Sequence, residues 1–357
     1  MFAKKNLVAA AALMAIAGAA QADVKLYGYL DAGFGSVETA HKGTPTRTTQ
    51  VTSGGMMTSF IGFAGSEDLG SGMKAEFALE SFIGNDTGAY VPNNAGNFWG
   101  RTSNVALSGN FGKVALGQYD NPLFTSAYTY NPFGSSMTLS PTMRHLNYIG
   151  QTGPSQTGST LSGAGVGFDT GWVNSVTYES PSVQGFSAVA QYAAKESTAP
   201  GSGNNYALSG SYNNGPISAT LTYVKANPVP QMAATGPLQT YTANEKVTDL
   251  GVSYDFGVVK AFGQYTHIKD DTNNNKDTIY QLGVTVPLND KVNVMASFGS
   301  LKNTRNGASS SVTDRVMTVG ADYALSKRTG VYGAFMDNTQ TNLSSGQTAL
   351  FGIKHTF

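Results

Sequence analysis

The sequence has no cysteine and little charge. Without thiols there are no disulfides, no thiolate metal sites and no cysteine nucleophile. Charged residues make up 12% of the chain, about half the usual quarter of a soluble domain. The formal net charge is zero, and removing Lys4 and Lys5 with residues 1–22 leaves 20 basic against 22 acidic residues. A near-neutral chain does not fit a nucleic-acid binder. Beyond residue 22 no apolar run reaches 18 residues, so no spanning helix is expected there. Recognisable catalytic patterns are missing too: there is no G-x-S-x-G, H-E-x-x-H or P-loop. The four histidines, His41, His145, His267 and His355, are scattered. Asp270 to Asp277 is rich in acids and amides, but it has no central glycine, and Leu282 stands where a calcium loop needs its final glutamate. It is expected to be a solvated loop, and no metal, cofactor or catalytic residue is expected anywhere.

What is present is an export signal and a long series of strands. Lys4 and Lys5 precede an uncharged apolar run from Leu7 to Ala17, and Ala20-Gln21-Ala22 offers small residues at both ends of a cleavage site. Residues 1–22 are therefore expected to be a secretory signal peptide cut before Asp23. After it, apolar and polar residues alternate with period 2, the pattern of strands with two different faces. Tyr280, Leu282, Val284 and Val286 oppose Gln281, Gly283 and Thr285. Leu250, Val252, Tyr254 and Phe256 oppose Asp249, Gly251, Ser253 and Asp255. The small or polar second face suits an apolar band toward lipid around a wet interior.

Sixteen such segments can be counted: 24–37, 54–65, 72–84, 100–109, 112–119, 172–180, 185–194, 204–213, 216–225, 246–256, 258–269, 277–288, 291–302, 313–325, 329–339 and 347–357. Short connections, such as Asn110-Phe111, Asn214-Gly215 and Asn289-Asp290, alternate with long ones. Outer-membrane barrels have this rhythm of short periplasmic turns and longer external loops, with an even strand count. The expected fold is all-β, a 16-stranded antiparallel transmembrane barrel over 23–357 with a water-filled lumen. Its long third loop, 120–171, needs somewhere to go. On the last strand Phe351, Ile353, His355 and Phe357 share one face, and the terminal aromatic suits an interfacial girdle.

Several short motifs stand in order along this frame. They include Leu26-Tyr27-Gly28, Leu30-Asp31-Ala32-Gly33, Gly65-Ser66-Glu67-Asp68-Leu69-Gly70, Gly100-Arg101 and Leu107-Ser108-Gly109-Asn110-Phe111-Gly112. Asn174-Ser175-Val176, Tyr178, Ser180-Pro181, Leu325-Ser326-Lys327-Arg328-Thr329 and the final Phe357 complete the set. Together they resemble the trimeric general porins of β-proteobacteria over nearly all of 23–357. The resemblance implies a homotrimer in the outer membrane, each barrel with its own pore for small solutes and ions. It also implies that the third loop folds inward and narrows the lumen.

The resemblance further implies arginines at the constriction, and here this chain departs from it. Phe60 and Ala64 stand where two arginines would precede the first short turn, and Gln118 follows Leu116-Gly117 where another is usual. Gly171 or Trp172 holds a further such position, whereas Arg101 keeps its place. Only six arginines occur in the whole chain. Alternation puts Lys74, Glu76 and Glu80 on the face expected to line the lumen. Between Asp120 and Asp169 the loop's only basic side chains are Arg144 and His145, among Tyr128, Tyr130, Phe133, Met137, Met143 and Tyr148. The expected function is passive diffusion of small hydrophilic solutes and ions through a weakly charged, aromatic-rich eyelet with little anion preference. Two alternatives stand beside it: a pore preferring small aromatic or neutral solutes, and a non-conducting structural or adhesive barrel.

Overall fold

A computed structural model describes residues 23–45, 47–91, 97–148, 171–195, 203–227, 245–272, 274–304, 306–307 and 309–357; the signal-peptide expectation and Asp169 lie outside them. The first strands are β1 (Asp23–Val37), β2 (Thr48–Ser53), β3 (Phe60–Gly70), β4 (Met73–Gly84), β5 (Ala89–Val91), β6 (Thr102–Gly109) and β7 (Gly112–Tyr119). Two helices follow, α1 (Pro122–Thr129) and α2 (Pro141–Tyr148). The rest are β8 (Trp172–Glu179), β9 (Phe186–Ala193), β10 (Asn205–Asn214), β11 (Ile217–Ala226), β12 (Glu245–Asp255) and β13 (Lys260–Asp270). The chain ends with β14 (Asn275–Asn289), β15 (Val292–Thr304), β16 (Val312–Ala324), β17 (Thr329–Gln340) and β18 (Gly346–Thr356).

Every ladder is antiparallel, and successive strands pair until β18 meets β1 from Tyr29↔Thr356 to Ser36↔Ala349. That ladder closes the sheet, which removes the unpaired edges that lipid cannot solvate. The wall has sixteen staves, as the alternation implies. β2 and β3 share β1 as a partner, and β5 and β6 share β4, so each pair forms one interrupted stave.

Two boundaries need correction. The second stave does not begin at residue 54; it begins at 48 and breaks over 54–59. The carboxylate of Asp31 accepts from the amides of Met56 at 2.6 Å and Met57 at 3.0 Å, and Ser59 Oγ accepts from the Asp31 amide at 2.9 Å. These bonds hold the backbone out of the ladder, with Gly54 at φ 78° to make the bend. The first short turn is also tighter than the motif 65–70 suggests. β3 pairs with β4 as far as Gly70↔Met73, leaving Ser71 and Gly72 as the turn.

Side chains sort as the alternation predicts. Outward residues such as Leu208, Leu221, Leu282 and Met317 are more than half exposed, whereas Gln281, Thr222, Thr266 and Thr318 face inward and are buried. Aromatic pairs flank the apolar band: Phe186–Tyr212 and Tyr254–Phe256 near the short turns, Tyr192–Tyr206 and Tyr265–Tyr280 toward the loops. Phe351 and Ile353 face outward on the closing strand.

Candidate functional site

The third loop enters the barrel as two helices that the strand pattern does not announce. Each starts with a capping side chain followed by proline, the pairing favoured at helix N-termini. Asn121 Oδ1 accepts from the Leu123 amide at 2.9 Å ahead of Pro122, and Ser140 Oγ accepts from the Met143 amide at 3.3 Å ahead of Pro141. Their apolar faces bury Leu123, Phe124, Ala127, Met143 and Leu146 against inward residues of the wall, among them Val224, Val247, Ile268, Ile279 and Leu301. A second cluster seats Phe133 and Leu139 on Met295, Val316, Tyr332, Met336 and Leu350. The barrel interior is thus apolar where the loop lies and polar elsewhere.

Polar anchors fix the loop's position. Ser126 donates to the buried Asp249 carboxylate, which also accepts from Thr266 Oγ1 at 2.6 Å and Gln264 Nε2 at 3.2 Å. Tyr130 bonds Ser218 at 2.9 Å, and Ser136 donates to the Gly55 carbonyl at 2.6 Å. On α2, Arg144 donates to Asn338 at 3.4 Å, and His145 Nε2 lies 3.0 Å from Asp314. Glycines on the wall make room for close approach. A Cβ on Gly251 would come within 2.2 Å of Tyr130, on Gly283 within 2.5 Å of Pro132, and on Gly299 within 2.4 Å of Pro141.

Beside the loop the lumen holds two cavities, of about 520 and 590 Å³. Arg101, Asp120 and Tyr128 line both, so they stand at the partition between them. Arg101 pairs with Glu80, and its guanidinium lies 4.1 Å over the Phe60 ring. Tyr27 donates to the same Glu80 carboxylate. Lys113 meets Glu76 at 2.7 Å, with Ser108 donating to that carboxylate as well. Lys354 meets Asp322 at 2.8 Å. Toward the short turns a third cavity of about 290 Å³ is lined by Ala64, Glu76 and Lys113 beside Lys25 and Asp23, themselves 3.4 Å apart.

The residues expected at the eyelet therefore divide. Glu80, Arg101 and Asp120 converge on the partition; Phe60 lies buried beneath Arg101; Ala64 and Glu76 line the third cavity. Gln118 is buried, its amide donating to the Gly100 carbonyl at 2.6 Å, so it braces the segment just ahead of β6 that carries Arg101. Arg144 is buried as a loop anchor, and Lys74 is exposed near the short-turn end of β4; neither lines these cavities. Lys113, Tyr119, Glu179, Asp322 and Lys354 line the cavities without having been singled out. Alternation alone places Lys113 and Glu179 on inward faces, and their cross-strand register makes them neighbours.

Known proteins match this architecture. A family model described as Gram-negative porin matches residues 9–343. The chain belongs to the Gram-negative porin family. This porin is 34% identical over 345 residues to outer membrane porin protein 32 of Delftia acidovorans, covering 94% of this chain and 90% of the relative. It is 32% identical to the major outer membrane protein P.IB of Neisseria gonorrhoeae over 218 residues, 59% of this chain and 54% of that one. Among solved structures, the anion-selective porin from Comamonas acidovorans superposes with a TM-score of 0.75 at 28% identity, covering 94% of this chain and all of that one. The porin is a passive outer-membrane channel rather than an enzyme.

Proposed function

We propose that the porin conducts small hydrophilic solutes and ions through an eyelet of nearly balanced charge, walled by tyrosines and leaning toward cations. The observation that carries this is the pairing of every base in the three cavities. Among the described residues four bases line them, and each has an acid: Lys25 with Asp23, Lys113 with Glu76, Arg101 with Glu80, and Lys354 with Asp322. Six acids among the described residues line the same cavities, so Asp120 and Glu179 remain after the pairing. A fixed charge in a narrow pore selects by sign, and here the surplus is negative. The neutral Phe60, Ala64 and Gln118 add no positive charge.

Tyr119, Tyr128 and Tyr130, which line the first cavity, favour a second reading, a preference for small aromatic solutes that stack on them. We further propose that residues 1–22 are removed on export, on the strength of their Lys4-Lys5 start, apolar run and Ala20-Gln21-Ala22 site, and that the barrel works as a homotrimer, on the strength of the family resemblance. Single-channel recording in a planar bilayer under a KCl gradient tests the proposal. Conductance in steps of three, with potassium modestly preferred over chloride, is the expected result. Strong anion selectivity would overturn this account of the eyelet.

A further inference from the structure

The cavity of about 520 Å³ holds more aromatic surface than the passage of an ion requires. β7 delivers Tyr119 at its end, Asp120 follows at the entry to α1, and α1 carries Tyr128 and leads into Tyr130. Each ring is held in place. Tyr119 donates to Glu179 at 2.9 Å, Tyr130 bonds Ser218 on β11 at 2.9 Å, and Tyr128 meets Phe124 edge-on with centroids 5.3 Å apart. Rings fixed in this way cost a bound solute no ordering of the wall. One of them already takes a cation: Lys113 Nζ lies 5.7 Å from the centroid of the Tyr119 ring, within the reach of a cation–π contact. Asn213 and Ser218, cross-strand partners beside the Gly215-Pro216 turn, also line the cavity, so it faces the short-turn end of the barrel.

Charge singles out the same place. Lys113 is drawn toward Glu76, which lines the third cavity and not this one, and Arg101 is held by Glu80. Among the described residues neither Asp120 nor Glu179 forms an ion pair, and both line the cavity beside the tyrosines. Burial pushes the Asp120 carboxyl up, with Arg101 opposing the shift and Glu179 adding to it. A cation brought into the cavity therefore meets a carboxyl whose ionised form it stabilises.

We infer, on the cation-leaning reading of the eyelet, that this cavity is a transient binding site for small aromatic amines in their ammonium form. The ring stacks on the tyrosines, and the ammonium lies between Asp120 and Glu179. An inorganic cation uses the carboxylates and leaves the rings idle. A neutral aromatic solute uses the rings and leaves two carboxylates without a counter-charge. An aromatic carboxylate is repelled by both acids. The arylalkyl ammonium class alone satisfies the two halves of the cavity together.

The test uses the protein purified from outer membranes and recorded in a planar bilayer in KCl, with phenethylammonium, butylammonium, phenethyl alcohol and phenylacetate added singly. The fall in conductance with solute concentration gives each an apparent dissociation constant. Each carboxylate about 6 Å from the solute raises the local cation concentration about twofold at 0.1 M salt, and a solvent-exposed cation–π contact adds about threefold. Phenethylammonium should therefore bind about tenfold more tightly than phenethyl alcohol. It should bind about threefold more tightly than butylammonium, which has no ring to stack, and phenylacetate should bind most weakly. Asp120→Asn combined with Glu179→Gln should weaken phenethylammonium about fourfold and leave phenethyl alcohol unchanged, whereas Tyr128→Leu should narrow the gap between phenethylammonium and butylammonium. Equal constants for phenethylammonium and butylammonium, or for phenethylammonium and phenethyl alcohol, would overturn the site. The reversal potential in a KCl gradient without solute reads the sign of the eyelet separately. Cation preference with equal constants sinks the aromatic amine site alone. Anion preference sinks the cation-leaning eyelet, and phenylacetate binding more tightly than phenethylammonium sinks both. Should a variant not fold, the comparison of the four solutes on the parent protein decides the question.

Discussion

Arg101 is the most direct handle on the eyelet, because it lines both lumen cavities while holding Glu80 and covering Phe60. Replacing it with glutamine removes one positive charge and leaves Glu80 without that cation beside Asp120. A unit charge about 6 Å from an ion's path contributes roughly 0.7 kcal/mol in water. With a Debye length of about 10 Å at 0.1 M salt, roughly 0.4 kcal/mol survives, about twofold in local ion concentration. The effect favours the cation and disfavours the anion, so the potassium-to-chloride permeability ratio should rise about fourfold. The reversal potential in a KCl gradient at 0.1 M reads this ratio directly, and the shift should shrink as salt is raised. Arg101→Lys keeps the charge and should leave the ratio close to the parent value. A ratio that stays constant or falls in Arg101→Gln would refute the premise that Arg101 acts on passing ions. Selectivity would then be set elsewhere in the lumen.

Other perturbations test the loop and the rim. Gly283→Ala puts a Cβ within 2.5 Å of Pro132; overpacking of this kind costs about 1–3 kcal/mol, and a lower thermal midpoint with noisier open-channel current is expected. Asp249→Ala removes the acceptor shared by Ser126, Gln264 and Thr266. Buried donors left without a partner cost about 1–3 kcal/mol each, so proteolysis within the third loop should quicken while the strands stay resistant. At the rim, hydrogen bonds from Lys246 and Lys269 hold the Asp271 carboxyl down at about 2. A carboxylate depressed below its ordinary value stabilises the fold above that value and loses the contribution as pH falls through the depressed one. The amide protection factor at the β13–β14 hairpin, which divides out the intrinsic pH dependence of exchange, should therefore be constant from pH 7 to about 4 and fall between about 4 and 2.

The staves were legible because each carries its own record of inside and outside. Leu282 and Gln281 need no partner to declare their faces, and a long run of such pairs yields the barrel. The break over 54–59 was not legible, since it depends on Asp31, a residue distant in sequence that reaches Met56 and Met57 only once β1 and β2 are paired. The helices of the third loop left a readable trace in Asn121-Pro122 and Ser140-Pro141, but without strand periodicity around them these dipeptides look like turns. Inward apolar residues such as Ile268 and Ile279 were ambiguous for a different reason. An apolar side chain at the end of a strand fits lipid and a packed loop equally well until the loop's own Leu123 and Met143 are placed against it. The eyelet suffered most, because charge pairing is a matter of register. Lys113 and Glu179 become neighbours only through the β7–β8 ladder.

That dependence on register also limits what the fold says about selectivity. The anion-selective porin from Comamonas acidovorans shares this architecture at a TM-score of 0.75, yet a barrel wall built from backbone hydrogen bonds is indifferent to the charge of the side chains pointing into it. Sign selection rests on a few inward positions whose pairing can change without disturbing a ladder. In this chain Phe60, Ala64 and Gln118 are neutral, and Arg101 is held by Glu80. The remaining lumen bases are likewise matched one to one with carboxylates. On the proposed reading, such matching keeps the passage hydrophilic while cancelling most of its field, and the residual sign falls to Asp120 and Glu179, two side chains that could be neutralised with the sixteen staves left as they are.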